Sequence, residues 1–218
     1  LPDAHPSAPA PISAMLSGVL IKAIGIYALA RVVYTVLGMT GLFSTILMSI
    51  GALSMLVGVL LAVGQWDFKR LLAYHSISQM GYVVLGIGLG TPLGILGGIF
   101  HLLNHSVFKS CLFLCSGAIE HETGTRQLKE MGGLWRRMPV TSTSCVVSSL
   151  SISGIPPFNG FWSKLIIIIA AIQAKHYVAA AIAVAVAFLT LTSFTKVMRY
   201  AIFGTPKSEG IKEVPAFM

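Results

Sequence analysis

Three residues in the middle of this sequence have the chemistry to pass protons to one another: His101, His105 and Lys109. They recur at intervals of four, which on a helix places them on one face. At the helical rise the stripe is roughly 12 Å long. Around it, from about Pro92 to Ile119, the chain is mostly Leu, Ile, Phe, Gly, Ala and Cys. Ionisable groups in so apolar a helix are costly in a bilayer unless they face a wet or polar interior. An imidazole, with an unperturbed pKa of about 6.5, both accepts and donates protons. Histidines four apart on a helix also suit zinc, but no carboxylate or cysteine completes a ligand set, and no metal is expected.

Three further residues belong with this stripe. Lys22 lies mid-span, too far from either interface for its amine to snorkel out. Lys164 follows Gly154-Ile155-Pro156-Pro157, which interrupts an apolar run too long for one straight crossing. Discontinuous helices mark ion sites; the local alternative is an amine that caps the carbonyls freed by the break. His75, with Ser76, Ser78 and Gln79, either lines water or is a hydrogen-bonded interior histidine. Lys196 and Arg199, near the end of the last span, are expected to snorkel, and Glu120, His121 and Glu122 to lie in a loop. No span contains Asp or Glu, so Lys and His form a conduit better suited to protons than to sodium. Burying several cations together is expensive, so some of them should be neutral at rest.

The elements that position these residues follow from composition. Of 218 residues, 55% are hydrophobic and 10% charged, against about 25% charged in soluble domains. Mean hydropathy is +0.83. The fold class is all-α: a polytopic transmembrane helix bundle of about six spans. The net charge of +8 does not point to nucleic acid, because the basic residues are scattered rather than interleaved with aromatics. Cys111, Cys115 and Cys145 lie in apolar segments and read as packing residues, with no disulfide. Neither a cysteine cluster motif nor a dinucleotide fingerprint is present, so no cofactor is expected.

In chain order, residues 1–11 hold four prolines and are expected to be irregular. The bundle covers residues 12–203. Its spans fall at about 12–38, 42–65, 71–89 and 92–119, then 139–174, broken at Gly154, Pro156 and Pro157, and 177–203. Residues 204–218 form a polar tail leading out of the bilayer. The start at Leu1-Pro2-Asp3 reads as internal to something longer. Lys69, Arg70, Arg126, Lys129, Arg136, Arg137, Lys207 and Lys212 share one side and Lys175 holds the other. The positive-inside rule then puts both chain ends in the cytoplasm.

Four stretches carry a family resemblance. They are Leu1-Pro2-Asp3-Ala4-His5 with Ala8-Pro9-Ala10-Pro11 and Ser17-Gly18 to Lys22; Asp67-Phe68-Lys69-Arg70 through Tyr74 to Gly81; His101 through Lys109; and Gly154 through Lys164. The chain resembles the antiporter-like membrane subunits shared by respiratory complex I, membrane-bound [NiFe] hydrogenases and Mrp-type sodium/proton antiporters. That family is built on two inverted five-helix repeats. The resemblance implies that this chain holds the last helix of the first repeat and the whole second repeat, without the first repeat's glutamate and broken-helix lysine. It implies a proton relay in which Lys22 is the central-axis lysine joining half-channels and Lys164 the terminal lysine, with His75, His101, His105 and Lys109 between. It further implies a subunit of a redox-driven complex in a prokaryotic-type cytoplasmic or organellar inner membrane, with other membrane subunits as partners and electron transfer left to them. A standalone Mrp-type antiporter and a truncated structural module are the alternatives.

Overall fold

The computed structural model describes residues 2–206 and 210–215, the side chains of Val19 and Ile21 excepted. It is helical: α1 (Ala4–Ser7), α2 (Ala10–Val36), α3 (Gly41–Val63), α4 (Phe68–Gly88), α5 (Pro92–Thr123), α6 (Leu134–Arg137), α7 (Pro139–Ser153), α8 (Asn159–Gln173) and α9 (Tyr177–Ile202). At three of the long helices the local chemistry supplies a cap. The side chains of Thr40, Asp67 and Thr91 accept from the backbone N–H groups of Phe43, Arg70 and Gly94, at 3.4, 2.9 and 3.1 Å, which satisfies donors that have no partner inside a first turn. Among the described residues, α2, α3, α5 and α9 are long and apolar enough to cross a membrane. α4 has the length, with 21 residues, but carries a polar face. α7 and α8, of 15 residues each, are the two halves of the broken run.

The structure departs from the sequence expectation at both chain ends. Residues 1–11 are not irregular throughout: α1 is a helical turn and α2 begins at Ala10. Pro6 and Pro11 both lie within first turns, where a missing N–H costs nothing. The tail does not simply lead away. Ile211 and Val214 pack on the core, and the Glu213 carboxylate accepts from the N–H groups of Val140 and Thr141 at 2.8 and 3.4 Å, where a negative group complements the start of α7. Leu1, residues 207–209 (with Lys207) and residues 216–218 fall outside the described residues.

Packing is inverted relative to a soluble protein. On α3 the large side chains Ile46, Ile50, Leu53, Val57 and Leu60 point outward, while Gly51, Met55, Gly58 and Ala62 are buried. Lipid tails are as apolar as leucine, so helix pairs gain by close backbone approach at small residues. A Cβ on Gly58 would lie 2.6 Å from the backbone nitrogen of Ser78 on α4, and Ser78 Oγ donates to Met55 O at 3.0 Å. α5 runs through the middle, in contact with α2, α4, α7 and α8. Gly58→Ala is expected to cost about 1–3 kcal/mol, the usual penalty for overpacking. Gly25→Ala, where a Cβ meets nothing within 4 Å, should be neutral or stabilising; melting temperatures in detergent distinguish the two.

Candidate functional site

The stripe on α5 faces inward: His101, His105 and Lys109 are fully buried, and so are Lys22 and Lys164 at 5% and 3% exposure. Opposite α5 stands the polar face of α4. His75, Gln79 and Tyr82 share that face and are buried completely, because a face of that polarity has no place against lipid. His101 joins the two helices and α8. Its Nε2 lies 3.2 Å from Gln79 Oε1 and its Nδ1 2.9 Å from Ser163 Oγ. With Gln79 Oε1 accepting, the ring is the Nε2–H tautomer and the Ser163 hydroxyl donates to Nδ1. Tyr82 fills the space between His101 and Lys164: its ring centroid is 5.5 Å from that of His101, and the Lys164 amine sits 4.9 Å from it.

Lys164 owes its place to the break. Residues 154–158 are non-helical, and Gly154 takes a left-handed φ of 81°, a conformation that glycine reaches without steric cost. The Lys164 amine donates to Ile152 O at 2.7 Å, across the gap. The local reading of this lysine is seen directly, since the amine caps a freed carbonyl; it is also buried, beside a cavity of about 160 Å³. The break is further tied by Asn159. Its Oδ1 accepts from the Ser151 hydroxyl and from Gly160 N–H, and its Nδ2 donates to Asn104 Oδ1 on α5 at 3.1 Å.

At the other end, Lys22 Nζ donates to Ser17 Oγ at 2.5 Å, and Ser17 Oγ is 3.3 Å from Ser76 Oγ on α4. Ser17 belongs to a π-helical stretch, Leu16–Leu20, a distortion frequent at functional positions. Lys109 Nζ, both ring nitrogens of His105 and Nε2 of Gln79 have no hydrogen-bond partner among the described residues. The Lys109 amine instead faces the Phe113 ring, 5.6 Å from its centroid. His75 is tied elsewhere, with Nε2 2.8 Å from Ser193 Oγ on α9, although Lys109 and Lys164 are within electrostatic reach. The Gln79–His101–Ser163 node and Lys164 thus form one linked group, and Lys22 with Ser17 and Ser76 a second, with His105 and Lys109 between.

Several expectations change. Lys69, expected in a loop, is a buried residue of α4 paired with Glu120 at 2.6 Å, and Glu120 belongs to the end of α5 rather than to a loop. Lys196, expected to snorkel, reaches the loop-side end of α3, where it donates to the carbonyls of Val63 and Gln65 at 2.7 and 2.5 Å. Sequence reasoning misses Tyr82, Ser163, Asn104 and Asn159. Tyr82 had a signal, its position three and seven residues beyond Gln79 and His75; the others depend on which helices meet.

A model of the family described as NADH:quinone oxidoreductase/Mrp antiporter, TM, matches residues 1–190. The chain belongs to this family. One subunit of the Na(+)/H(+) antiporter of Alkalihalophilus pseudofirmus is 43% identical over 208 residues, covering 95% of this chain and 42% of that protein. Hydrogenase-4 component B of Escherichia coli is 38% identical over 245 residues, covering 100% of this chain and 36% of that protein. In the solved Mrp complex of Dietzia sp. DQ12-45-1b, one chain superposes with a TM-score of 0.89 at 40% identity, over 94% of this chain and 38% of that one. This member of the family therefore spans less than half the length of these relatives.

The ties at the break generate a prediction. Asn104→Ala and Asn159→Ala should each cost about 1–3 kcal/mol, because each leaves buried partners unpaired. The double variant should cost less than the sum; a double-mutant cycle of melting temperatures measures the coupling.

Proposed function

We propose that this chain conducts protons as part of an antiporter-like subunit of a redox-driven membrane complex of the complex I or hydrogenase type. The observation that carries this reading is a buried set of Lys22, Lys109, His105, His101 and Lys164, with serine, glutamine and tyrosine side chains beside Lys22, His101 and Lys164 and, among the described residues, no buried Asp or Glu. Such an axis is expensive as structure and economical as a conduit. In the neutral state His101 donates on one nitrogen and accepts on the other, so a proton arriving at Nδ1 releases the one on Nε2. Lys22 and Lys164 at the two ends, and Lys109 between them, accept and return the proton, and water bridges the gaps wider than a hydrogen bond. His75 serves as a side branch. In this reading the chain crosses the membrane six times, the broken run counted as one, with both chain ends on the cytoplasmic face; the basic residues gathered in the loops of one side support it. The complex would reside in a prokaryotic-type cytoplasmic or an organellar inner membrane, with redox chemistry in partner subunits.

A second reading, a subunit of an ion-gradient-driven sodium/proton antiporter, is favoured by the 43% identity to the Alkalihalophilus antiporter protein. Co-purification separates the two: hydrogenase-like or quinone-reducing partners support the first, and only Mrp-type subunits the second.

Lys109→Met and Lys164→Met are expected to assemble and to lower proton translocation in proteoliposomes by roughly a hundredfold, the low end for losing a proton-transfer group. His101→Ala should lose only a few-fold of the rate, since His105 remains and water fits the space left. Lysine variants that assemble and pump at the normal rate would leave the axis as packing alone. The orientation is checked separately: a cysteine at Gln127 should react with an impermeant reagent from the cytoplasmic face only.

A further inference from the structure

On α5 the proposed axis ends at Lys109, inside the bundle, and needs a source of protons. One buried titratable group has no part in it so far. His5, on α1, is 2% exposed, and its Nε2 has no hydrogen-bond partner among the described residues. Its ring packs against Phe113 with centroids 4.9 Å apart, and the Lys109 amine faces that same ring from 5.6 Å. Phe113 lies one helical turn beyond Lys109, toward the end of α5 that carries Glu120. His5 therefore stands between Lys109 and the face of the bundle that carries the loop after α5.

On that face there is a cavity of about 480 Å³. The residues that follow His5, from Pro6 to Pro11, form one wall; Lys69, Glu120 and His121 supply the ionisable groups of the others. The turn bearing His5 is clamped to this wall. Asp3 pairs with Arg70 at 3.4 Å, Arg126 donates to Pro6 O at 2.6 Å, and the Lys69 amine lies 3.5 Å from Ala8 O while paired with Glu120. Arg126 in turn lies 3.7 Å from Glu120 and 3.4 Å from Asp67. Acids, absent from the buried axis, are gathered at this mouth.

Resting on the proton-conducting reading above, we propose that this cavity is where protons are collected from the aqueous phase and that His5 carries them to Lys109. The ring takes a proton on one nitrogen from water in the cavity, and the proton on its other nitrogen passes to the Lys109 amine. One N–H bond forms as another breaks, and the ring returns neutral in the other tautomer. Glu120, His121 and Lys69 set the local supply of protons at the mouth.

The electrostatics give this step an order. Burial, and then the charges of Lys22 and Lys109, push the His5 imidazole down to about 4, so the ring is neutral near neutral pH. While Lys109 is charged, its field opposes a second positive charge on His5; once Lys109 has passed its proton on, that opposition is gone. Uptake then follows discharge.

The test uses the intact complex in proteoliposomes. His5→Phe and His5→Gln keep ring packing and polarity respectively, and neither carries a proton. Both should assemble and pump about tenfold more slowly than the native complex, a milder loss than removal of a relay lysine because water remains. His5→Ala should regain rate when imidazole is added on the loop side and not when it is added only on the opposite side. If His5→Gln and His5→Phe pump at the native rate while Lys109→Met does not, His5 is a packing residue and the inference fails with the relay intact. If Lys109→Met also pumps normally, the relay reading itself falls. Imidazole rescue of equal size from either side also overturns the placement of the uptake path.

Discussion

A polar group at membrane depth has to find its partner inside the protein, and the broken run between α7 and α8 is built around that constraint. Breaking the helix frees backbone carbonyls that lipid cannot satisfy. The Lys164 amine meets Ile152 O, and Asn159 ties Ser151 and Gly160 to Asn104 on α5. An amine that has given up its proton still carries two N–H bonds, so the contact with Ile152 O survives a change of charge on Lys164. Capping and proton carriage are compatible in one residue for that reason.

α4 holds the arrangement together. One of its faces meets α3 through glycines, where Ser78 approaches Gly58; another presents Gln79 and Tyr82 to His101. Close approach on the first face fixes the position of the second. Tyr82 is itself anchored, its hydroxyl donating to Ala183 O on α9 at 2.5 Å, so the wall between His101 and Lys164 has little room to shift. Outside this frame, the large side chains of α3 face outward, where a hydrocarbon environment accepts them without loss.

Charge is distributed by depth. The interior axis is built from amines and imidazoles and contains no acid, while Asp67 and Glu120 stand at the loop-side edge among Lys69, Arg70 and Arg126. Ion pairs at an edge keep partial contact with water and cost little, whereas a fixed carboxylate inside would pair with an amine and hold its proton in place. On the proposed reading, a path without interior acids leaves each amine free to exchange.

Composition and local pattern suffice for the membrane class, the helical fold, the break at Gly154-Pro157 and the stripe of His101, His105 and Lys109. These rest on hydrophobic content, on helical period and on two prolines in an overlong apolar run. The polar face of α4 is legible in the same way, since its residues recur at helical spacing. Which faces meet is not legible. That Gln79 and Ser163 bracket His101, that Asn159 reaches Asn104 and that Lys69 is buried against Glu120 depend on contacts between segments far apart in the chain, which carry no local pattern. His5 is the clearest case: in sequence it is one histidine in a proline-rich stretch, and only the folding of α1 onto α4 and α5 buries it beside Phe113. Local periodicity set the faces, and tertiary packing decided which polar groups stand within reach of one another.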